Sequence, residues 1–336
     1  MRPSIIILFS TLLLAAGYMP AHAQPYRPFT LDKTIPLPGN GGYDYLCFDQ
    51  GSDRLFVSHG TTVDVIDVRT GQLAGSIGGM TGVHGIAIAS GLGRGFISDG
   101  KGNSVVAFDL VTMKTLKTIP ITGKDPDAIL YDPFTRRVFT FDGDSQDASV
   151  IDAATLTQVG SISLGGTPEF AVSNGQGLVY NNVEDKNVMN VIDAASLKIL
   201  HSFPLSPCGG PTGLALDKTN QRLFAVCRQN KGMTVLDANT GKVITTVPIG
   251  AGVDAVVYDP GEGLIYCSNG DGTATVIRQQ SADQYAVVQT LSTSYRAKTM
   301  AFDATARRLY FSAYDLKEDK KTRIPDTFKV LVYKQP

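Results

Sequence analysis

The chain has 336 residues, 43% hydrophobic and 18% charged, with 30 Lys and Arg set against 31 Asp and Glu. That balance argues against a disordered chain and against a polyelectrolyte partner. With 35 Gly and 17 Pro, many short strands are favoured over long helices, and the lack of any Trp removes both the Trp-Asp mark of WD repeats and the Trp of quinoprotein blades.

The first segment, Met1 to Ala23, reads as a signal peptide. Arg2 supplies the positive end, Ile5 to Ala16 an apolar run, and Ala21-His22-Ala23 a small-x-small cleavage site. The run is too short for a comfortable membrane span, and no second run of about 18 apolar residues follows it. The expectation is a soluble periplasmic or secreted protein formed by residues 24–336 as one domain, with 29 basic and 31 acidic residues after cleavage.

From Lys33 onward the chain repeats. Seven segments align: Tyr45–Asp49, Gly85–Ala89, Ala128–Asp132, Phe170–Asn174, Gly213–Asp217, Ala255–Asp259 and Thr299–Asp303, their last residues stepping by 40, 43, 42, 43, 42 and 44. Each is followed by a second apolar strand, such as Arg54-Leu-Phe-Val-Ser58 or Arg222-Leu-Phe-Ala-Val226. A third strand ends in an Asp turn in five units (Asp67, Asp109, Asp152, Asp193, Asp237), and a short fourth strand follows, such as Val243–Ile249. An Asp there accepts amide hydrogen bonds from the turn.

Four short strands per unit of about 42 residues is the period of a propeller blade. The fold class expected is therefore all-β, a seven-bladed β-propeller of four-stranded antiparallel blades. The last unit stops after its third strand, Phe328–Tyr333, and Lys33-Thr-Ile-Pro-Leu37 matches the fourth-strand text Lys117-Thr-Ile-Pro-Ile121. The N-terminal strand of the mature chain is thus expected to close the last blade, which removes free sheet edges. The same alignment sets Cys208 just before an innermost strand and Cys227 near the end of its antiparallel neighbour, so these two are the expected disulfide. Cys47 and Cys267 fall inside apolar strands and read as free buried thiols.

The unit pattern, with Phe56-Val-Ser-His59 and Phe96-Ile-Ser-Asp99 as its best tetrapeptides, resembles the YVTN-repeat seven-bladed propeller family, and within it the YncE-like periplasmic type. The resemblance covers essentially all of residues 24–336. It implies the fold but not one function. Some members of that family resemble surface-layer or adhesive proteins, the YncE type has been linked to DNA binding, and distant seven-bladed relatives are lactonases or antibiotic lyases.

In such a ring the loops entering the innermost strands surround one mouth of the central channel. The residue five before each anchor reads, around the ring, Asp44, His84, Asp127, Glu169, Thr212, Asp254 and Lys298. Asp44, His84, Asp127, Glu169, Asp254 and Lys298 are the candidate ligand-binding residues. Crowded carboxylates repel one another, so they raise some of their pKa values or recruit a cation. The metal set would be Asp44, His84, Asp127, Glu169 and Asp254, whose oxygens with one imidazole suit Ca²⁺, Mg²⁺ or Mn²⁺ better than structural Zn²⁺. The bland alternative is that each Asp merely satisfies turn amides and Lys298 neutralises its neighbours.

His59 lies on the same face and is placed to approach the ring, and the neighbouring loops add Asp99, Asp142, Asp144, Asp147, Glu184, Asp185 and Asp271. The run Asp142-Gly-Asp-Ser-Gln-Asp147 resembles part of a calcium loop, but without Glu at the twelfth position it reads as a solvated turn. The loop Tyr314–Arg323 mixes signs and holds the one local basic cluster, Lys317, Lys320, Lys321 and Arg323. It reads as a mobile, solvated loop able to cover the mouth or touch a partner.

No nucleophile elbow, HExxH, metal-spaced Cys pair or phosphate loop is present, nor any signature for nucleotide, haem or pyrroloquinoline quinone. The reading is an exported binding or scaffold propeller that engages a small ligand, divalent cation or protein partner at an acidic channel mouth, a face that disfavours nucleic acid. The alternative is a metal-dependent hydrolase, lactonase or lyase using the same carboxylates and His84. No catalytic residue is assigned, and the ligand and oligomeric state stay open. A third reading, an adhesive surface protein using its blade edges, would not depend on the ring.

Overall fold

The computed structural model describes residues 26–336; the expected leader, Met1–Ala23, lies outside the described residues. Seven four-stranded antiparallel sheets form the molecule, six of them built from four consecutive strands. The seventh runs from Met300–Asp303 through Arg308–Ala313 and Lys329–Lys334 to Thr30–Pro36. Its outer pairing, Thr34 with Leu331 and Ile35 with Val330, is the expected closure by the N-terminal strand.

The continuous apolar second strands follow from burial on both faces. In Arg54–His59, Leu55 and Val57 pack into the cluster shared with blade 7, while Phe56, on the opposite face, packs into the cluster shared with blade 2. Seven hydrophobic clusters among the described residues fill the seven junctions between adjacent blades. The core is thus a ring of interfaces, with each fully buried Phe or Leu contributing roughly 1.5–3 kcal/mol. Fourth strands face water on the rim, as in the largely exposed Thr115–Pro120.

The Arg that opens the second strand locks one blade to the next. Arg94 Nη1 donates to the carbonyls of Ala153 and Ala154, both at 2.7 Å, and Arg137 Nη1 to those of Ala194 and Ala195 at 2.8 and 2.9 Å. Arg54 does the same to Leu110 and Val111. The receiving carbonyls sit in the Asp turns, where Asp109, Asp152 and Asp193 accept amides two and three residues onward. The repeat's Arg and its Asp turn are therefore two halves of one inter-blade clasp.

Candidate functional site at the channel mouth

Each of the first six innermost strands carries a bulge where the ring residue sits. In blade 1 the pairing jumps from Tyr43–His59 to Leu46–Val57, so one extra residue enters the inner strand, and the same shift recurs in blades 2 to 6. A bulge leaves backbone groups without ladder partners and re-aims side chains. The buried polar residues of the second strands fill that gap. Ser58 Oγ accepts from the Asp44 amide at 2.8 Å. Ser98 Oγ accepts from Gly85 at 2.7 Å and donates at 2.6 Å to the carbonyl of Asp127, one blade on. Asn182 reaches the Thr212 carbonyl at 2.9 Å, and Thr299 closes the ring on the Asp44 carbonyl at 2.5 Å. The Ser of the tetrapeptide thus holds the mouth in shape.

The ring residues do not form one uniform band. Asp44, His84 and Asp127 converge, each offering one ligand atom within 4.8 Å of the others. His84 Nδ1 lies 2.8 Å from Asp44 and 3.5 Å from Asp127, and its Nε2 lies 3.9 Å from Asp125. Burial works against a charged imidazole here, but the Asp44 hydrogen bond and the charges of Asp127, Asp44 and Asp125 outweigh it and raise His84 to about 9. Burial, reinforced by the Asp44 charge, pushes Asp127 up to about 7, and its Oδ1 is buried without a hydrogen-bond partner. Glu169 stands well above the usual carboxylate range, first through burial and then through the charges of Asp254 and Asp127. It makes no ion pair among the described residues and is not part of the three-residue cluster.

Across the mouth the charge changes sign. The Asp254 side chain, only 6% exposed, receives Arg228 Nη2 at 2.6 Å and is also bonded by Lys298 Nζ. Arg228 in turn bonds Glu184 at 3.0 Å. Asp254 is therefore spent on two cations and does not join the proposed metal set. Beside it opens a cavity of about 480 Å³ whose lining includes Arg228, Arg296, Lys298 and Arg323 together with Tyr43, Tyr295 and Tyr314. Asp44, Asp127 and Glu169 thus gather on one side of the mouth, and Arg228, Arg296, Lys298 and Arg323 on the other. The sequence names Glu184 only as a loop acid and Arg228 not at all, although a signal exists. They follow the second strand at a position that is Gly60, Gly100, Gly143 and Gly270 in four other blades and Tyr314 in the last.

Below the ring, Tyr45 of blade 1 and Phe170 of blade 4 meet with ring centroids 4.7 Å apart. Blades 1 and 4 are not neighbours, so this contact spans the channel and gives the mouth a floor. Tyr45 is raised well above its ordinary pKa by burial and then by the Asp127, Asp44 and Glu169 charges, so its hydroxyl stays protonated.

His59 is not free to approach the ring. Its Nδ1 is 2.9 Å from Asp64 and its Nε2 accepts the Gly41 amide at 3.1 Å, both within a buried junction. Several loop acids serve turns. Asp99 accepts the amides of Thr81 and Gly82, Asp185 that of Thr167, and Asp271 that of Ala251. Asp142 is buried and bonded by Ser149, with burial pushing it up to about 7. The loop from Tyr314 is a wall of the cavity: Arg323 stacks over Tyr314 at 4.9 Å and Tyr43 at 5.6 Å. Cys208 and Cys227 are disulfide-bonded with Cα atoms 5.3 Å apart, tying the loop before Pro211 to the strand that ends next to Arg228, while Cys47 and Cys267 are free.

These features define a seven-bladed β-propeller with a closed, charged channel mouth. No protein-family model and no curated protein matches the chain. Solved structures do. A chain of the Mitotic Checkpoint Complex superposes with a TM-score of 0.76 at 14% identity, covering 97% of this chain and 99% of that one. Hydrazine synthase of Kuenenia stuttgartiensis gives 0.73 at 15%, covering 95% and 99%. The Cps50 (Swd1) β-propeller domain of Myceliophteria thermophila gives 0.71 at 13%, covering 91% and 99%. At these identities the likeness establishes the propeller fold and leaves function to the site.

Proposed function

We propose that this protein is an exported binding propeller of YVTN, YncE-like kinship whose channel mouth takes a small ligand. The observation that carries the reading is the floored mouth itself: bulges and second-strand hydroxyls hold charged side chains around a cup, and one carboxylate oxygen, Asp127 Oδ1, is buried with no hydrogen bond, 3.5 Å from His84 Nδ1. A binding role fits a fold that concentrates polar groups at a concave site. Export to an oxidising compartment is supported by the Cys208–Cys227 bond.

Within that mouth, a divalent cation such as Ca²⁺, Mg²⁺ or Mn²⁺ would be held by Asp44, His84 and Asp127, the three residues whose donor atoms converge. Glu169 and Asp254 drop out of the proposed ligand set. The cation competes with the proton on His84, so its affinity rises with pH towards about 9. The test is thermal unfolding in chelator and in excess of each cation. A concentration-dependent gain, lost in Asp127→Asn, supports the cation; identical curves in every condition remove it.

A second reading, a metal-dependent hydrolase, lactonase or lyase, draws on the 2.8 Å bond between Asp44 and His84, which orients an imidazole for proton transfer. Its expected result is turnover of lactones or esters that disappears in His84→Ala. Turnover that survived the substitution would exclude His84 from the chemistry.

A further inference from the structure

We infer that the basic half of the mouth is a separate subsite for an oxyanion, a carboxylate or phosphate, borne on a flat or ring-shaped body. The inference rests on the reading of the mouth as a ligand site and adds the chemistry of what enters its other half.

Four cations line the cavity, Arg228, Arg296, Lys298 and Arg323, against one lining acid, Asp271. Arg228 and Lys298 are partly neutralised by Asp254. Asp271 is engaged with the amides of Ala251 and Thr273. Arg296 and Arg323 make no ion pair among the described residues, Arg323 donating to the Gly41 carbonyl at 3.4 Å, so the cavity keeps an excess of positive charge with two guanidinium groups uncommitted to acids. A guanidinium matches the two oxygens of a carboxylate or phosphate with paired donors.

The walls select the rest of the ligand. Tyr43, Tyr295 and Tyr314 line the cavity, with Lys320 Nζ over the Tyr295 ring at 5.6 Å. Tyr43 and Tyr314 stack on each other at 5.5 Å, with Arg323 lying over both. Their ring edges give the cavity an apolar, aromatic lining that suits a planar or apolar body. A volume of about 480 Å³ is that of a small-molecule site.

The site is also preorganised. Arg296 adopts φ of 67°, a left-handed conformation costly for a residue with a side chain. It is held there because its amide donates to Gly270 at 2.8 Å and its carbonyl accepts from Tyr43 Oη at 2.5 Å and from the Lys298 amide at 2.8 Å. The strained residue is one of the two uncommitted cations.

The test is calorimetric titration of the full mature protein with phenyl phosphate, benzoate, inorganic phosphate, benzyl alcohol and benzylamine, with a short single-stranded oligonucleotide as a further arm. Saturable binding of phenyl phosphate or benzoate, but not of the neutral or cationic analogues, is expected. The tighter of the two anions, set against inorganic phosphate, tells which oxyanion the site prefers. Arg323→Glu, on an exposed side chain, should weaken that anion by roughly tenfold or more. Arg296→Gly, which suits the left-handed backbone, should do likewise. No saturable binding of either aromatic anion, equal binding across charge states, unchanged affinity in both variants, or binding of the oligonucleotide alone would each overturn the inference. A cation titration run in parallel separates the two failures. Loss of anion binding alone sinks this subsite, and loss of both sinks the mouth as a ligand site.

Discussion

The acidic and basic halves of the mouth are built by one backbone device and do opposite things. Asp127 in blade 3 and Asp254 in blade 6 occupy the same repeat position on the same kind of bulge. Asp127 faces His84 and Asp44, is pushed up to about 7, and keeps a buried oxygen without a hydrogen bond. Asp254 receives two cations from its own side of the ring. The difference comes from two departures: the residue after the second strand, glycine in blades 1, 2 and 3 but Arg228 in blade 5, and the ring residue of blade 7, Lys298. The fold sets where a charge points, and single departures from the repeat decide whether it is neutralised or left for a ligand.

The largest effect should come from breaking the neutralised half. Asp254→Ala removes the shared partner of Arg228 and Lys298, and because those cations are 39% and 41% exposed it is expected to cost about 3 kcal/mol, the low end for a broken buried pair, read by urea denaturation. A cost below about 1 kcal/mol would mean that the two cations are already satisfied by solvent. Next comes the staple beside Arg228. The Cys208–Cys227 bond closes a loop with a sequence separation of 19, so Cys208→Ser with Cys227→Ser should cost about 3 kcal/mol in denaturation. The same double substitution should loosen the basic half and leave the cation titration in place.

The acidic half should show itself through pH. Asp127 and His84 both have folded pKa values above their ordinary ones, at about 7 and about 9. For groups raised in this sense the stabilisation is full below the unfolded value and is lost as pH rises through the folded one. Stability should therefore fall from pH 4 to 7 on account of Asp127, and from pH 6.5 to 9 on account of His84. Asp127→Asn removes the first step. Relative to wild type, the variant should gain about 1 kcal/mol between pH 5 and pH 8 once solvent screening is allowed for. The smallest effect is expected from Arg323→Ala, an exposed change within about 0.5 kcal/mol in denaturation.

Much of this was legible in the repeat. The blade count, the closing strand and the ring positions follow from the seven aligned segments, because a blade must bury both faces of its inner strands and so writes Leu-Phe-Val runs at a fixed period. The Asp turns were legible for the same reason, while the role of the second-strand Ser was not. It needs the bulge, and a bulge leaves no mark in hydropathy. Arg228 stands outside the ring column, at the residue after the second strand, where most blades carry glycine and the repeat shows no charge. Arg296 lies in the irregular segment between Gln284–Ser292 and Met300–Asp303, where no repeat constrains the reading. The Tyr45–Phe170 floor depends on the channel width, a property of ring closure and not of any one blade.

The most direct test of a mouth divided into two sites is a paired calorimetric titration, with a divalent cation and with phenyl phosphate, on wild type, Asp127→Asn and Arg323→Glu. The expected result is that Asp127→Asn loses the cation and Arg323→Glu loses the anion, each with little change in the other titration. Loss of both ligands in either variant, or of neither in both, would contradict the division.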